Sequence, residues 1–307
     1  MAPSLRFSPE GRFRIVQFTD THFRDGDAAD RRTAGLIEAV IEDEQPDLVV
    51  LTGDVVEGEH AADPAAAWGL AVAPIESRQV PWAAVFGNHD DAGRLDRAGL
   101  MAVQRRFAHC LSEHGPDHLP GVGNFVLAVN GSALDATAAI LYFFDSHSYS
   151  ATGVGDYAWL DHDQVSWYRQ TAATLAGPGE ALPALAFFHI PLPEYETAWS
   201  AGDEVRGGKG ETVCCPSINS GMFAAFHECG DVMGSFCGHD HRNDFDATLY
   251  GIRLCYGRVT GAGGYAAGAH PRGARVIELR EGERQFATWL RLEGGVRQEQ
   301  PLRPGRV

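Results

Sequence analysis

The chain has 307 residues, 44% of them hydrophobic and 21% charged, and a formal net charge of −16 at pH 7. This composition is typical of a soluble globular protein, and no apolar run reaches the ~18–20 residues of a membrane-spanning helix, so we expect no membrane partner. The acidity also argues against a nucleic-acid partner, because phosphate backbones are bound by dense Lys and Arg clusters.

The N-terminal segment lacks the apolar core and the cleavage site of a secretory signal, so we expect a cytoplasmic protein. Six cysteines are present and none forms a C-x-x-C pair, which favours small buried thiols over disulfides. No role can be assigned to Cys214, Cys215 or Cys237. A chain of this length is expected to form one domain over residues 1–307.

Six apolar runs each end abruptly in glycine and polar residues. Because their hydrophobicity is continuous rather than alternating, they predict strands that are buried on both faces. These runs cover residues 13–20, 47–54, 82–90, 138–147, 183–193 and 231–241.

Helical patterns lie between these runs, over residues 30–44 with Asp30 as the N-cap, 94–112 and 163–176. Alternation of strand and helix predicts a layered α/β fold. The short strands within 251–293 have hairpin spacing and predict a mixed or antiparallel second sheet. The Gly-rich segment 201–221 predicts a long loop that covers a functional site.

Metal-binding side chains follow five of the predicted strands. Carboxylate, amide and imidazole ligands suit Fe, Mn or Zn, and so many of them indicate a two-metal site with a bridging carboxylate. Gly238 is expected to permit a tight turn before the last of these groups. The candidate ligands are Asp20, His22, Asp54, Asn88, His189, His239 and His241.

The order of these motifs resembles the calcineurin-like metallophosphoesterases. D-x-H at 20–22, G-D at 53–54, G-N-H-D at 87–90, a later strand-end histidine and G-H-x-H at 238–241 match over roughly residues 13–245. The stretches FFHIPLPEY, GHDHRNDF and CYGRVTGAGGY are similar to the purple acid phosphatase-like branch with small plant and fungal phosphatases, and they extend the match to about residue 265.

The resemblance implies a four-layer α/β/β/α sandwich of two mixed sheets flanked by helices. It also implies that Asp20, His22, Asp54 and His241 hold one metal ion, whereas Asp54, Asn88, His189 and His239 hold the second. Asp54 would bridge the two ions, and His89 would stand beside the leaving group as the general acid.

Glu57 departs from the purple acid phosphatase pattern, in which a tyrosine that ligates ferric iron stands three residues after the bridging aspartate. In that branch the bond between the tyrosine and ferric iron gives the protein its colour. With glutamate at this position, we expect the colour to be absent. Glu57 could ligate a metal, or it could orient His89 as an aspartate at this offset does in phosphoprotein phosphatases.

These observations predict hydrolysis of phosphomonoesters by a hydroxide that bridges the two metals, with His89 protonating the leaving oxygen. The expected partner is a small phosphorylated substrate or a phosphopeptide. A phosphodiesterase acting on cyclic nucleotides or other small diesters is the alternative, and a non-catalytic metal-binding module is a third hypothesis. The sequence determines neither the substrate nor the oligomeric state.

Overall fold

The computed structural model describes residues 4–133, 136–176, 181–265, 268 and 270–303. Its strands are β1 (Arg12–Phe18), β2 (Leu48–Thr52), β3 (Trp82–Val85), β4 (Phe125–Asn130), β5 (Thr137–Phe143), β6 (Ala184–Phe187), β7 (Val205–Arg206), β8 (Val232–Cys237), β9 (Asp246–Leu249), β10 (Ile252–Tyr256), β11 (Gly273–Arg280), β12 (Phe286–Leu292) and β13 (Val296–Gln298). Its helices are α1 (Ala28–Glu44), α2 (Pro64–Glu76), α3 (Arg97–Gln104), α4 (His162–Ala176), α5 (Glu194–Ala201) and α6 (Met222–Cys229). None of these helices has the length and apolar character needed to cross a bilayer.

The strands form two mixed sheets. The first has six strands in the order β13-β12-β11-β1-β2-β3, and the second has seven in the order β4-β5-β6-β8-β10-β9-β7. Strands β1, β2 and β3 run parallel in the first sheet, as do β5, β6, β8 and β10 in the second. Each sheet therefore collects the carboxyl ends of several strands at one edge.

Alternate residues of the buried strands belong to different hydrophobic cores. In β1, Phe13 and Ile15 join a core that also contains Leu141 and Phe187 of the second sheet, whereas Phe18 packs with residues of the helices. A third core joins the outer face of the second sheet to its helices. The order helix, sheet, sheet, helix confirms the expected four-layer sandwich.

The strands between 251 and 293 do not form one sheet, contrary to the expectation from their hairpin spacing. Strand β10 lies in the second sheet, where it is parallel to β8, while β11 and β12 extend the first sheet beside β1. The hairpin spacing correctly indicated the antiparallel β11–β12 pair. The spacing did not indicate that β10 pairs with β8 or that β11 pairs with β1, because neither pair joins strands that are consecutive in the chain.

Two predicted helix boundaries were wrong. The first helix begins at Ala28 with Asp27 as its N-cap, and the carboxylate of Asp30 instead accepts hydrogen bonds from two backbone N–H groups of the preceding loop. The pattern over 94–112 was too long, since only Arg97–Gln104 is helical. Helix α2 lacked a clear apolar period because alanine, glycine and proline make up most of its sequence.

A fully buried arginine links the two sheets. The guanidinium of Arg275, on β11, donates to the backbone carbonyls of Tyr256 and Asp244 in the second layer, each over 2.6 Å. It also donates to the Thr288 hydroxyl over 3.1 Å on the neighbouring strand. Because buried carbonyl groups need partners, this one side chain holds the sheets in register with each other.

We expect Arg275→Met to lower the free energy of unfolding by about 3 kcal/mol or more, because the buried carbonyl acceptors would lose their donor. Arg280→Met on the same strand is the matched control, since Arg280 is exposed and its ion-pair partner among the described residues is Glu278. That change should cost less than about 0.5 kcal/mol. Urea unfolding of the three proteins measures the difference, and equal midpoints would contradict the linking role of Arg275.

Candidate metal centre

The five strand ends bring the candidate ligands to one edge of the molecule. Asp20 and His22 follow β1, Asp54 follows β2, and Asn88 follows β3. From the second sheet, His189 follows β6, and His239 and His241 follow β8. All seven side chains belong to buried residues, so the polar groups of two sheets converge where both are shielded from water.

The backbone at this edge is strained. Asp20, His22, Asp54 and His239 have positive φ angles of 52°, 49°, 49° and 78°, in the left-handed region that few residues other than glycine adopt. Such conformations persist where the surrounding structure over-determines them, and they are concentrated at functional sites.

The first group of ligands consists of Asp20, His22 and His241, whose ligand atoms all lie within 4.8 Å of one another. The Nε2 atoms of the two histidines are 3.2 Å apart, and Nε2 of His241 lies 3.4 Å from Oδ1 of Asp20. Nδ1–H of His241 donates to the Tyr265 carbonyl over 3.1 Å. That bond fixes the tautomer and leaves Nε2 as a lone-pair donor facing the group.

The second group consists of Asp54, His189 and His239, again with ligand atoms within 4.8 Å. Nε2 of His189 lies 3.2 Å from Oδ2 of Asp54 and 3.3 Å from Nδ1 of His239. Nδ1–H of His189 donates to the Thr52 carbonyl over 2.8 Å. As in the first group, a backbone carbonyl turns the other ring nitrogen toward the ligands.

Asn88 adds an amide oxygen to this edge. Its Nδ2 donates to the Tyr149 hydroxyl over 3.1 Å, which sets the orientation of the amide. Its Oδ1 is buried and has no hydrogen-bond partner among the residues that the structure describes. A buried acceptor without a partner is costly unless a ligand satisfies it.

Asp54 contacts both groups. Its Oδ2 lies 3.2 Å from His189 and 3.9 Å from Nε2 of His22, while its Oδ1 accepts a hydrogen bond from the backbone N–H of His89 over 2.8 Å. The carboxylate is thereby held in one orientation between the two sets of nitrogens.

The site combines ionised carboxylates with imidazoles of opposite pKa shifts. Burial lowers the pKa of His189, but the charge and hydrogen bond of Asp54 outweigh it and raise the pKa to about 9. Burial raises the pKa of Asp54, but the charge and hydrogen bond of His189 outweigh it and hold the pKa well below its usual range. Burial lowers the pKa of His22 to about 4, and burial together with the charge of His189 lowers that of His239 to about 3. A metal ion requires oxygen anions and neutral nitrogen lone pairs, so His22 and His239 are already in the required state, whereas His189 would release a proton when a metal binds.

These residues fit two metal ions. Each group offers a carboxylate and two imidazoles, Asp54 is placed between the groups, and the free oxygen of Asn88 gives the second group another ligand. Mixed oxygen and nitrogen donors without thiolate suit Fe, Mn or Zn.

The carboxylate next to His89 is Glu59, not Glu57. Nδ1 of His89 donates to Oε1 of Glu59 over 2.6 Å. The carboxylate of Glu57 forms ion pairs with Arg24 and with His60, the latter over 3.2 Å, so of the two alternatives for Glu57 the orienting role toward His89 is not the one that these contacts favour. Burial opposes protonation of His89, but the charges of Asp54 and Glu59 outweigh it and raise its pKa.

Glycine is required at position 238 because neighbouring side chains lie very close to its backbone, and not because the turn needs a special backbone conformation. Its φ is not positive, but a Cβ atom there would lie 1.9 Å from the Thr19 hydroxyl oxygen and 2.7 Å from Oδ2 of Asp20. A side chain at this position would therefore displace a ligand of the first group.

Asp90 was not assigned a role from the sequence. Its carboxylate accepts hydrogen bonds from the backbone N–H groups of Asp54, Val56 and Gly87 over 2.7–2.9 Å. It thereby ties the loop after β2 to the loop after β3. Its position at the end of the G-N-H-D motif was the available signal.

Five of the seven candidate ligands, namely His22, Asp54, Asn88, His239 and His241, line an open cleft of about 450 Å³. Glu211 and Cys214 of the predicted covering loop line it, as expected for the segment 201–221. The described residues around the cleft are His22, Asp54, Glu57, Asn88, His89, Tyr149, Tyr157, Glu211, Cys214, His239, Asp240, His241, Gly264 and Tyr265.

The sequence profile described as calcineurin-like phosphoesterase matches residues 13–243, which include every candidate ligand. The chain belongs to this family. Similar curated relatives include "Probable inactive purple acid phosphatase 14" of Arabidopsis thaliana, 33% identical over 93% of this chain and 79% of the relative. "Phosphatase DCR2" of Saccharomyces cerevisiae is 34% identical over 95% of this chain and 56% of the relative.

Among solved structures, a dimetal phosphatase from Danio rerio superposes with a TM-score of 0.61 at 14% identity, covering 90% of this chain and 98% of the other. At this identity the likeness concerns the fold. The shared fold includes the two sheets and the edge at which the strands end.

We expect the purified protein to bind two metal ions per chain, one for each ligand group. Asp54→Asn should weaken binding by more than the ~10–100-fold that loss of an outer hydrogen-bond partner costs, because it removes a charged ligand placed between the groups. Asp163→Asn, at an exposed position in the first turn of α4, is the control. Metal content after reconstitution with Zn, Mn or Fe measures the effect, and an unchanged content in Asp54→Asn would refute the assignment.

Proposed function

We propose that this chain is a dinuclear metal-dependent phosphatase that hydrolyses phosphomonoesters. The observation that carries the proposal is the meeting of two ligand groups at Asp54, in the lining of an open cleft that His89 also lines. The membership of the calcineurin-like phosphoesterase family and the relative named as a phosphatase support it.

Asp20, His22, Asp54 and His241 would hold one ion, and Asp54, Asn88, His189 and His239 the other, with Fe, Mn or Zn as the metals that suit these ligands. Bound there, two cations supply positive charge for the phosphoryl oxygens and lower the pKa of a water molecule. The backbone carbonyls of Thr52 and Tyr265 contribute by fixing the histidine tautomers before metal or substrate arrives.

His89 is the proposed proton donor to the leaving oxygen. Because Glu59 accepts Nδ1–H, Nε2 is the nitrogen left to face a substrate in the cleft. The His89 side chain is 31% exposed, whereas each of the seven ligand residues is buried. It therefore stands where a leaving group can reach it without displacing a ligand, and Glu59 fixes the orientation of its ring.

The cleft volume of about 450 Å³ admits a small phosphorylated molecule or the phosphorylated side chain of a peptide. A cytoplasmic location stays part of the proposal. It is supported by the six cysteines, all of which are free thiols.

A non-catalytic role is the second candidate, and the names of curated relatives favour it. Two of them, "Probable inactive purple acid phosphatase 14" and "Probable inactive purple acid phosphatase 29" of Arabidopsis thaliana, are each 33% identical to this chain. The ligand groups and the His89–Glu59 pair of this chain argue for turnover, because a pure binding role needs no proton donor.

His89→Ala should reduce kcat about 10²–10⁴-fold, the usual contribution of a positioned general acid. Glu59→Gln should cause a smaller loss, because the ring remains but its orientation is less fixed. His114→Ala is the control, since the described contacts of this half-exposed histidine side chain are with Asp117 and the Gly115 carbonyl, away from the cleft lining. The metal content of all three variants should equal that of the wild type. Wild-type activity in His89→Ala would show that His89 is not the proton donor.

Phosphomonoesters should be hydrolysed faster than diesters. Comparison of p-nitrophenyl phosphate with bis(p-nitrophenyl) phosphate, with each of Fe, Mn and Zn, measures the ratio of kcat/KM values. A preference for the diester would show that the chain is a phosphodiesterase and not a phosphomonoesterase. Absence of turnover of both esters by fully metal-loaded protein would favour the non-catalytic role.

A further inference from the structure

The described lining of the cleft carries several carboxylates, and its basic side chains are histidines. Among the described residues that line it, none is a lysine or an arginine. Glu57 is paired with Arg24, and the buried Asp240 accepts hydrogen bonds from Tyr256 and from the backbone of Cys214. These two carboxylates already have partners within the protein.

Glu211 is partly exposed, whereas Glu57 is neutralised by Arg24 and Asp240 is buried. Its Oε1 accepts hydrogen bonds from the Tyr265 hydroxyl over 2.9 Å and from the backbone N–H of Arg242 over 2.8 Å, so the carboxylate is fixed in place. Over the described part of the chain, no lysine or arginine forms an ion pair with it. Glu211 therefore places at the wall of the cleft a carboxylate that has hydrogen-bond donors but no lysine or arginine partner among the described residues.

An aromatic wall faces the same space. The rings of Tyr149 and Tyr157 stack with centroids 5.6 Å apart and an interplanar angle of 25°. Tyr157 packs edge-on against His239 at 4.5 Å, and the Tyr149 hydroxyl accepts a hydrogen bond from Asn88. Tyr149 is nevertheless 55% exposed. Contacts with two candidate metal ligands thus hold an exposed aromatic surface in a fixed orientation beside the reaction centre.

A fixed ring in a cleft favours another ring, because stacking gains energy without ordering a mobile side chain. A fixed carboxylate favours a cation and repels a second anion. The phosphoryl group itself needs no basic residue here, since metal ions supply its counter-charge in the proposed function.

We propose that the preferred substrates are aryl phosphomonoesters whose remaining groups are neutral or positively charged, with Tyr149 contacting the ring and Glu211 selecting the charge. This inference rests on the proposed phosphatase function. A phosphorylated tyrosine flanked by basic residues belongs to the class. Nucleoside polyphosphates and sugar bisphosphates fall outside it, because each carries a second anionic group toward Glu211.

Non-hydrolysable phosphonates test the inference by binding rather than by turnover. Calorimetry on metal-loaded protein would compare 4-aminomethyl-, 4-methyl- and 4-carboxybenzylphosphonate, which differ only in the charge at one end, and butylphosphonate, which lacks the ring. One surface charge interaction of about 1 kcal/mol is a factor of about 5, so the amine should bind roughly 5–25-fold tighter than the carboxylate. The methylbenzyl probe should bind about 2–10-fold tighter than the butyl probe.

Two variants separate the two determinants. Glu211→Gln keeps the acceptor for Tyr265 but removes the charge, so the ratio between amine and carboxylate should fall toward one while the preference for the ring is unchanged. Tyr149→Leu should remove the preference for the ring and leave the charge ratio unchanged. Tyr149→Phe loses only the hydrogen bond to Asn88 and should keep the preference for the ring, which distinguishes stacking from an effect on the ligand.

Equal binding of the three charged and neutral probes, an unchanged charge ratio in Glu211→Gln, or no binding of any probe would overturn the inference. Hydrolysis of the corresponding aryl phosphates is measured separately. If aryl phosphates are hydrolysed but the binding preferences are absent, the proposed phosphatase function stands and the proposed substrate specificity is wrong. If the binding preferences are observed but no aryl phosphate is hydrolysed, the proposed phosphatase function is wrong and the cleft is a selective binding site for aryl phosphoryl ligands.

Discussion

The carboxylate of Asp54 is the point on which the geometry of the whole strand edge depends. It lies between nitrogens supplied by both sheets, 3.2 Å from His189 of one and 3.9 Å from His22 of the other. A buried anion of this kind is expensive unless positive charge and hydrogen bonds surround it. The positive φ of Asp54, the backbone N–H of His89 and the close packing of neighbouring glycines serve to keep it there.

The two sheets must be aligned for that arrangement to exist, and buried polar groups provide the alignment. Besides Arg275, Gln17 of β1 donates to the Cys237 carbonyl over 2.9 Å at the end of β8. Arg97 of α3 donates to the carbonyls of Gly87 and His147, which follow strands of different sheets. Apolar contacts between the sheets are non-directional, so these directional bonds determine how far one sheet can slide over the other.

Much of the fold followed from the sequence because each central strand is an uninterrupted apolar run with a polar end. The same pattern indicated which side chains would meet, since parallel strands end at one edge. The choice between Glu57 and Glu59 did not follow, because both lie in one short segment and its backbone bonds to Phe23 and His89 decide which one faces the imidazole. Helix α2 was not predicted because its sequence lacks a helical period of apolar residues. The partners of the C-terminal strands could not be predicted because they depend on contacts with residues far away in the chain.

Strand β11 lies directly beside β1, pairing Ile15 with Ile277 and Val16 with Val276. Every candidate ligand precedes residue 242, yet the strand that carries the first two ligands is flanked on one side by a segment made only after residue 272. Contacts so distant along the chain form late, because a long loop must close first. During synthesis, the nascent chain would therefore hold all the candidate ligands before β11 exists to complete the first sheet beside β1.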